Sequence, residues 1–245
     1  MKLASSIGMA ILLLAHAPVT GQEQLQSTDF RVFPVLLGEW EGIFFRPGPN
    51  EDMREIVFRP RARSIDAYTY RGASPLTFYR EAGLSEEGEM LYQSVGRAEI
   101  VATEMLVFFA TNSFSQNGSL EFKTLSIDDS PNGLPADHVA FVNFTQIRFA
   151  CRFMDKNLIV RPGMNVPVSV EERLAEDVLI GLAVTNQHSS RIVLQNQWRF
   201  HEGNRHIILL LPPQRKGSFR VRAYRITEFV GENKRFKATE HDGES

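Results

Sequence analysis

Arg191-Ile192-Val193-Leu194-Gln195-Asn196-Gln197-Trp198-Arg199-Phe200-His201 is the stretch that decides the fold. Ile192, Leu194, Asn196, Trp198 and Phe200 fall on one face; Arg191, Val193, Gln195, Gln197, Arg199 and His201 fall on the other. A period of two is the signature of a half-buried strand, because successive side chains leave a pleated backbone on opposite sides. Trp198 sits on the apolar face and is expected in the core.

The same alternation recurs elsewhere in the chain. Ile147, Phe149, Cys151 and Phe153 alternate with Arg148, Ala150, Arg152 and Met154, and Phe219, Val221 and Ala223 alternate with Arg220, Arg222 and Tyr224. Met105-Leu106-Val107-Phe108-Phe109-Ala110 has no polar positions and reads as a strand buried on both faces. Turn chemistry separates the runs. Glu202-Gly203-Asn204-Arg205 is expected to close a hairpin, with Glu86-Glu87-Gly88, Gln116-Asn117-Gly118 and Arg161-Pro162-Gly163 as similar turns. Only Glu171 to Asp177 has helix-like composition, enough for one or two turns. Asp128-Asp129-Ser130-Pro131-Asn132-Gly133-Leu134-Pro135 cannot lie inside a strand and marks an exposed linker. The expectation is all-β: two tandem antiparallel, immunoglobulin-like β-sandwich domains, Phe30 to Ile127 and Leu134 to Val230, followed by a disordered tail at 231–245. One larger sandwich or barrel is the competing reading. No internal repeat of fixed period is visible.

The N-terminus has the layout of a secretory signal peptide: Lys2, then the apolar run Ile7 to Ala15, then the small-residue triplets Ala15-His16-Ala17 and Val19-Thr20-Gly21. Pro18 disfavours the first triplet, so cleavage is expected after Gly21, giving a periplasmic or cell-surface product. The apolar run is shorter than the roughly 20 residues a bilayer requires, and Ile207 to Leu211, the densest later run, ends at Pro212-Pro213. No transmembrane segment is therefore expected after cleavage. The formal net charge of the 245 residues is −2, and loss of Lys2 makes it one unit more negative. No global basic excess points to nucleic acid. Cys151 is the single cysteine, so stability in an oxidising compartment must come from packing.

No catalytic motif is recognisable, and no cofactor or metal is expected. His201-Glu202-Gly203-Asn204-Arg205-His206 resembles the zinc-protease pattern, but its histidines are one residue too far apart and Gly203-Asn204 would break the helix the pattern needs. A solvated hairpin tip is the better reading. Cys151, for which His138 or His188 would have to be the base, shares a face with Ile147, Phe149 and Phe153 and reads as a core thiol. Asp128, Asp129, Asn132 and Asp137 lack calcium-loop spacing and read as turn residues.

Two constellations carry the binding expectation. Arg191, Arg199, Arg220 and Arg222 are the candidate ligand-binding residues, within a wider set that includes Arg205, Arg215, Lys216 and Arg225. If strands 191–201, 205–211 and 219–226 are neighbours, their outer face is a cationic stripe able to dock an anionic envelope polymer or an acidic partner protein. The competing reading is a solvated face guarding sheet edges. Trp40, Phe44, Phe45, Tyr68, Tyr70, Phe78 and Tyr79 offer a sugar-stacking platform or, more simply, core.

Leu134-Pro135-Ala136-Asp137-His138-Val139-Ala140-Phe141-Val142-Asn143-Phe144-Thr145, followed by Val160-Arg161-Pro162-Gly163, resembles a pattern of uncharacterised exported bacterial proteins built from small β-sandwich modules. It is also distantly similar to envelope accessory proteins of exopolysaccharide modification. The resemblance covers about 100 residues of the second half and implies a fold, with no functional residue to carry over. The functional expectation is a non-catalytic envelope protein that binds or scaffolds. The alternatives are an accessory factor in envelope polymer export or assembly, and an enzyme with an unrecognised site.

Overall fold

The computed structural model describes residues 25–35, 40–111, 120–185, 189–213, 215, 217–218 and 220–230. The signal segment, the Gln116-Asn117-Gly118 turn, His188 and the 231–245 tail lie outside the described residues. The chain is all-β. Its strands are β1 (Gln26–Pro34), β2 (Phe44–Phe45), β3 (Arg54–Glu55), β4 (Tyr68–Gly72), β5 (Leu76–Leu84), β6 (Met90–Ala98), β7 (Glu104–Thr111) and β8 (Phe122–Asp128) in the first half. The second half has β9 (His138–Asn143), β10 (Phe149–Phe153), β11 (Lys156–Val160), β12 (Gly163–Met164), β13 (Val168–Ser169), β14 (Asp177–Thr185), β15 (Ser190–Arg199), β16 (Asn204–Leu211) and β17 (Arg222–Phe229). The helix-like stretch supplies one 3-10 turn, Glu171–Arg173.

The first half pairs an inner sheet, β4-β1-β7-β8, with an outer sheet, β3-β2-β5-β6. The second pairs an inner sheet, β12-β9-β16-β17 with β13 also on β9, with an outer sheet, β11-β10-β14-β15. Strand for strand, these are the same topology. The inner sheets are not purely antiparallel: β1 runs parallel to β7, and β9 runs parallel to β16.

The repetition extends to single hydrogen bonds. Val35 N donates to Phe109 O at 2.8 Å, and Phe144 N to Leu210 O at 2.8 Å; Ser64 N donates to Val32 O, and Asn165 N to Phe141 O. Each outer sheet also carries a bulge at the same place, where Val95 and Val193 are the extra residues. No fixed sequence period announces this duplication, because different side chains fill the same backbone.

Three cores result. Phe30, Phe45, Phe78 and Phe109 lie between the sheets of the first half, and Phe141, Phe149, Phe153 and Phe200 between those of the second. The third core joins the halves: Phe33, Leu106, Phe108 and Ile127 from one inner sheet meet Val142, Ile207, Leu209 and Leu211 from the other. The described residues therefore form four stacked sheets. This arrangement explains the two continuous apolar runs, since β7 and β16 each separate two cores and need apolar side chains on both faces. It also alters the view of the connection between the halves, whose Asp129 and Leu134 are buried.

Two sequence expectations are corrected. Glu202 to Arg205 does not close a hairpin: β15 belongs to the outer sheet and β16 to the inner one, so the segment crosses between layers, with Gly203 at φ 74°. Arg161 to Gly163 likewise carries the chain from β11 to β12. Along β15 the bulge at Val193 reverses the faces, leaving Val193 buried and Ile192 66 % exposed. Beyond the bulge, Leu194, Asn196 and Trp198 are half-buried and Phe200 is fully buried.

Candidate functional site: an apolar trough on the outer sheet

The arginines expected to form a stripe are distributed differently. β15 and β16 are not neighbours, so the condition for a shared outer face fails. Arg191 and Arg199 lie on β15 and Arg222 on β17, edge strands of different sheets, with exposed Arg220 just before β17. The edges do meet: Val221 N donates to Val193 O at 3.2 Å. Arg199 pairs with Asp177 at 3.0 Å, and Arg222 Nε donates to Pro212 O. Arg225 donates to Arg199 O and lies over the Trp198 ring at 5.5 Å; its desolvation there lowers its pKa.

Arg205 leaves the surface altogether. With Arg63 it binds Asp129 and Glu228 in a cluster that spans the two halves: Arg205–Asp129 at 2.8 Å, Arg205–Glu228 at 3.0 Å, Arg63–Asp129 at 2.7 Å and Arg63–Glu228 at 2.6 Å. Two cations face two carboxylates, so the charges balance, and hydrogen bonds join all four side chains, although the buried Arg63 Nε makes an ion pair with Glu228 without a hydrogen bond. Asp129 is thus spoken for, Asp128 accepts from Ser130 N, and Asp137 accepts from Gly203 N at 2.7 Å. Among the described residues no group of three or more potential metal ligands occurs.

The remaining chemical candidates are structural. Cys151 is buried, and desolvation pushes its thiol up to about 12, far from a reactive thiolate. His206 is not at a hairpin tip but inside the second core, edge-on to Phe200, with Nδ1 3.0 Å from Thr227 Oγ1. Burial, then the positive charges of Arg225 and His201, lower its pKa to about 4. Of the first-half aromatics, Phe45 and Phe78 are fully buried, Tyr68 nearly so, and Trp40 stacks on Phe122. In the Val-Asn-Phe-Thr segment, Asn143 accepts from the Thr145 backbone and hydroxyl and donates to Ile147 O, tying the turn after β9.

What sequence reasoning missed is a trough of about 650 Å³ across the solvent face of the second outer sheet. Register builds it. Ile159, Ala150, Ala183 and Ile192 form one row across β11, β10, β14 and β15; Asn157, Arg152, Gly181 and Gln195 form the next. Two alanines and a glycine make a low floor between the exposed Ile159 (52 %), Leu179 (52 %) and Ile192 (66 %). A Cβ added to Gly181 would meet nothing within 4 Å. Arg152 rises from this floor and makes no ion pair or side-chain hydrogen bond among the described residues. At one end of the trough lies Met154, whose φ of 56° belongs to the two-residue turn between β10 and β11, where tight hairpins require a left-handed residue.

The first half provides an internal comparison. By register, Phe44 and Tyr79 stand where Ala150 and Ala183 stand in the second half, and Arg46 stands where Arg152 does. One outer sheet carries rings at the two positions that the other leaves low. The sequence signal was present in Ala150, Gly181 and Ala183, three small residues at outward strand positions, but nothing in the sequence brings them together.

Among the described residues no helix is long and apolar enough to cross a membrane. No protein-family model matches the chain, and no curated protein matches it in a sequence search.

Proposed function

We propose that this protein is a non-catalytic exported envelope protein, periplasmic or at the cell surface, that binds its ligand through the outer sheet of its second half. One observation carries the reading: a trough of ligand-site volume, with apolar walls and a guanidinium that has no ion pair among the described residues, on the solvent face of the outer sheet. Small-molecule sites are typically concave and mostly apolar, about 300–1,000 Å³ in volume, with few polar groups to orient the ligand. Isolated exposed isoleucines are ordinary, but three large aliphatic side chains around a shared floor mark a recognition surface. The signal-like N-terminus supports export.

The experiment is native mass spectrometry of the full chain purified from the envelope fraction of a bacterial culture, with N-terminal sequencing of the same material. An N-terminus at Gln22 and a retained mass that disappears in Ala150→Phe/Ala183→Tyr are expected. Intact Met1 in the cytoplasmic fraction would overturn export, and retention indifferent to the double variant would overturn the binding surface.

A further inference from the structure

Resting on that reading, we infer that the trough takes a long-chain alkyl carboxylate, with the acyl chain along the Ala150–Gly181–Ala183 floor and the head group on Arg152. The side chains that face the ligand define its chemistry. Ile159, Leu179 and Ile192 offer aliphatic surface only, and the cross-strand rows through Ala150 and Arg152 include no aromatic ring, so a sugar has no platform to stack on. Arg152, the one cation in the trough lining and without an ion pair among the described residues, calls for one acidic group, and the planar guanidinium matches a carboxylate in the bidentate manner. Asn157 and Gln195, in the same row as Arg152, offer neutral amides around that head group and no competing carboxylate.

Two other occupants fit less well. A peptide laid on the face of a sheet would bury its own amides where the strands' backbone groups are already paired, leaving them unsatisfied. An alkyl chain carries no such groups. A second copy of the protein docking symmetrically through this surface would bury Arg152 of each copy in the contact, and neither cross-strand row holds a carboxylate to pair with it. Met154 fits the acyl reading, since a flexible thioether adapts to chains of different length.

The duplicated fold supplies the test variant. Ala150→Phe/Ala183→Tyr gives the second half the residues that the same backbone carries in the first, so the trough is filled in a way this fold already accommodates. Gly181→Val fills it independently, into space that is open. Delipidated full-length protein would be titrated calorimetrically with oleate and with oleyl alcohol. Oleate is expected to bind with one site per chain and to be lost in both filled variants at unchanged melting temperature. Arg152→Gln is expected to weaken oleate by about tenfold or more while leaving the alcohol within about twofold. Failure of wild-type protein to bind oleate, or equal binding by wild-type and filled variants, would overturn the inference. The two proposals separate cleanly: an envelope-derived mass lost on filling the trough, without oleate binding, would leave the binding function standing and remove the acyl carboxylate.

Discussion

His206 and Met105 stand at equivalent positions, each pairing with the first strand of its half and each facing that half's core. An imidazole replaces a thioether, and its Nε2 is buried with no hydrogen-bond partner. The pH dependence follows from the native pKa of about 4 against an ordinary value of 6.5. As pH falls, the unfolded chain takes up this proton before the native protein does. Stability is full above about pH 6.5 and declines toward pH 4, by roughly 3 kcal/mol in all. His206→Met is expected to be neutral to about 1 kcal/mol stabilising at pH 7, since it removes an unsatisfied buried nitrogen at the cost of one bond to Thr227. Urea unfolding at pH 7 and pH 5 checks this. A variant that loses as much stability as the wild type between those two values would show that the titration resides elsewhere.

At the scale of the strand, what sequence can and cannot disclose separates clearly. The unbroken apolar run of β7 announces burial on both faces, and its side chains do divide between two cores, Met105, Val107 and Phe109 toward one and Leu106 and Phe108 toward the other. The alternation along β15 announces a strand as well, but one extra residue, Val193, turns Ile192 outward while leaving Trp198 inward. A bulge has no composition of its own, so periodicity is blind to it. The trough was hidden for a related reason, because Ala150 and Ala183 become neighbours only through the pairing of β10 with β14. Strand membership was legible and sheet membership was not: the turn residues at Gly203 serve a crossing between layers as readily as a hairpin. Two isoleucine-sized residues test this picture. Leu209→Ala, in the core between the halves, is expected to cost about 2–5 kcal/mol, whereas Ile192→Ala is expected to stay within about 0.5 kcal/mol. Chemical denaturation of both decides it, and equal losses would mean that the bulge does not hold in solution.

For the whole molecule, the decisive feature is the face shared by the inner sheets. Phe33, Leu106 and Phe108 on one side and Val142, Ile207 and Leu209 on the other are fully or almost fully buried only because the halves cover one another. The ion cluster of Arg63, Asp129, Arg205 and Glu228 sits at the rim of the same contact and fixes its register. A fragment ending at Asp129 is therefore expected to self-associate through this face, and Phe33→Lys/Phe108→Glu in the fragment is expected to keep it monomeric. Analytical ultracentrifugation measures the difference. A monomeric, cooperatively folded unmodified fragment would show that the half does not need its cover.

The parallel pairing of β1 with β7, repeated by β9 with β16, also governs the order in which this chain can fold. Phe30 cannot acquire its partner Met105 until nearly the whole of its half has been synthesised, and Val139 waits in the same way for His206. The hairpin β5–β6 can close early, from local contacts, while the inner sheets depend on loop closure over long stretches of chain. Such non-local topologies fold on the slow side of the range for their size. If the chain is exported as proposed, threaded from its N-terminus, slowness is an advantage, because a first strand that stays unpaired remains extended and transportable until its partner emerges.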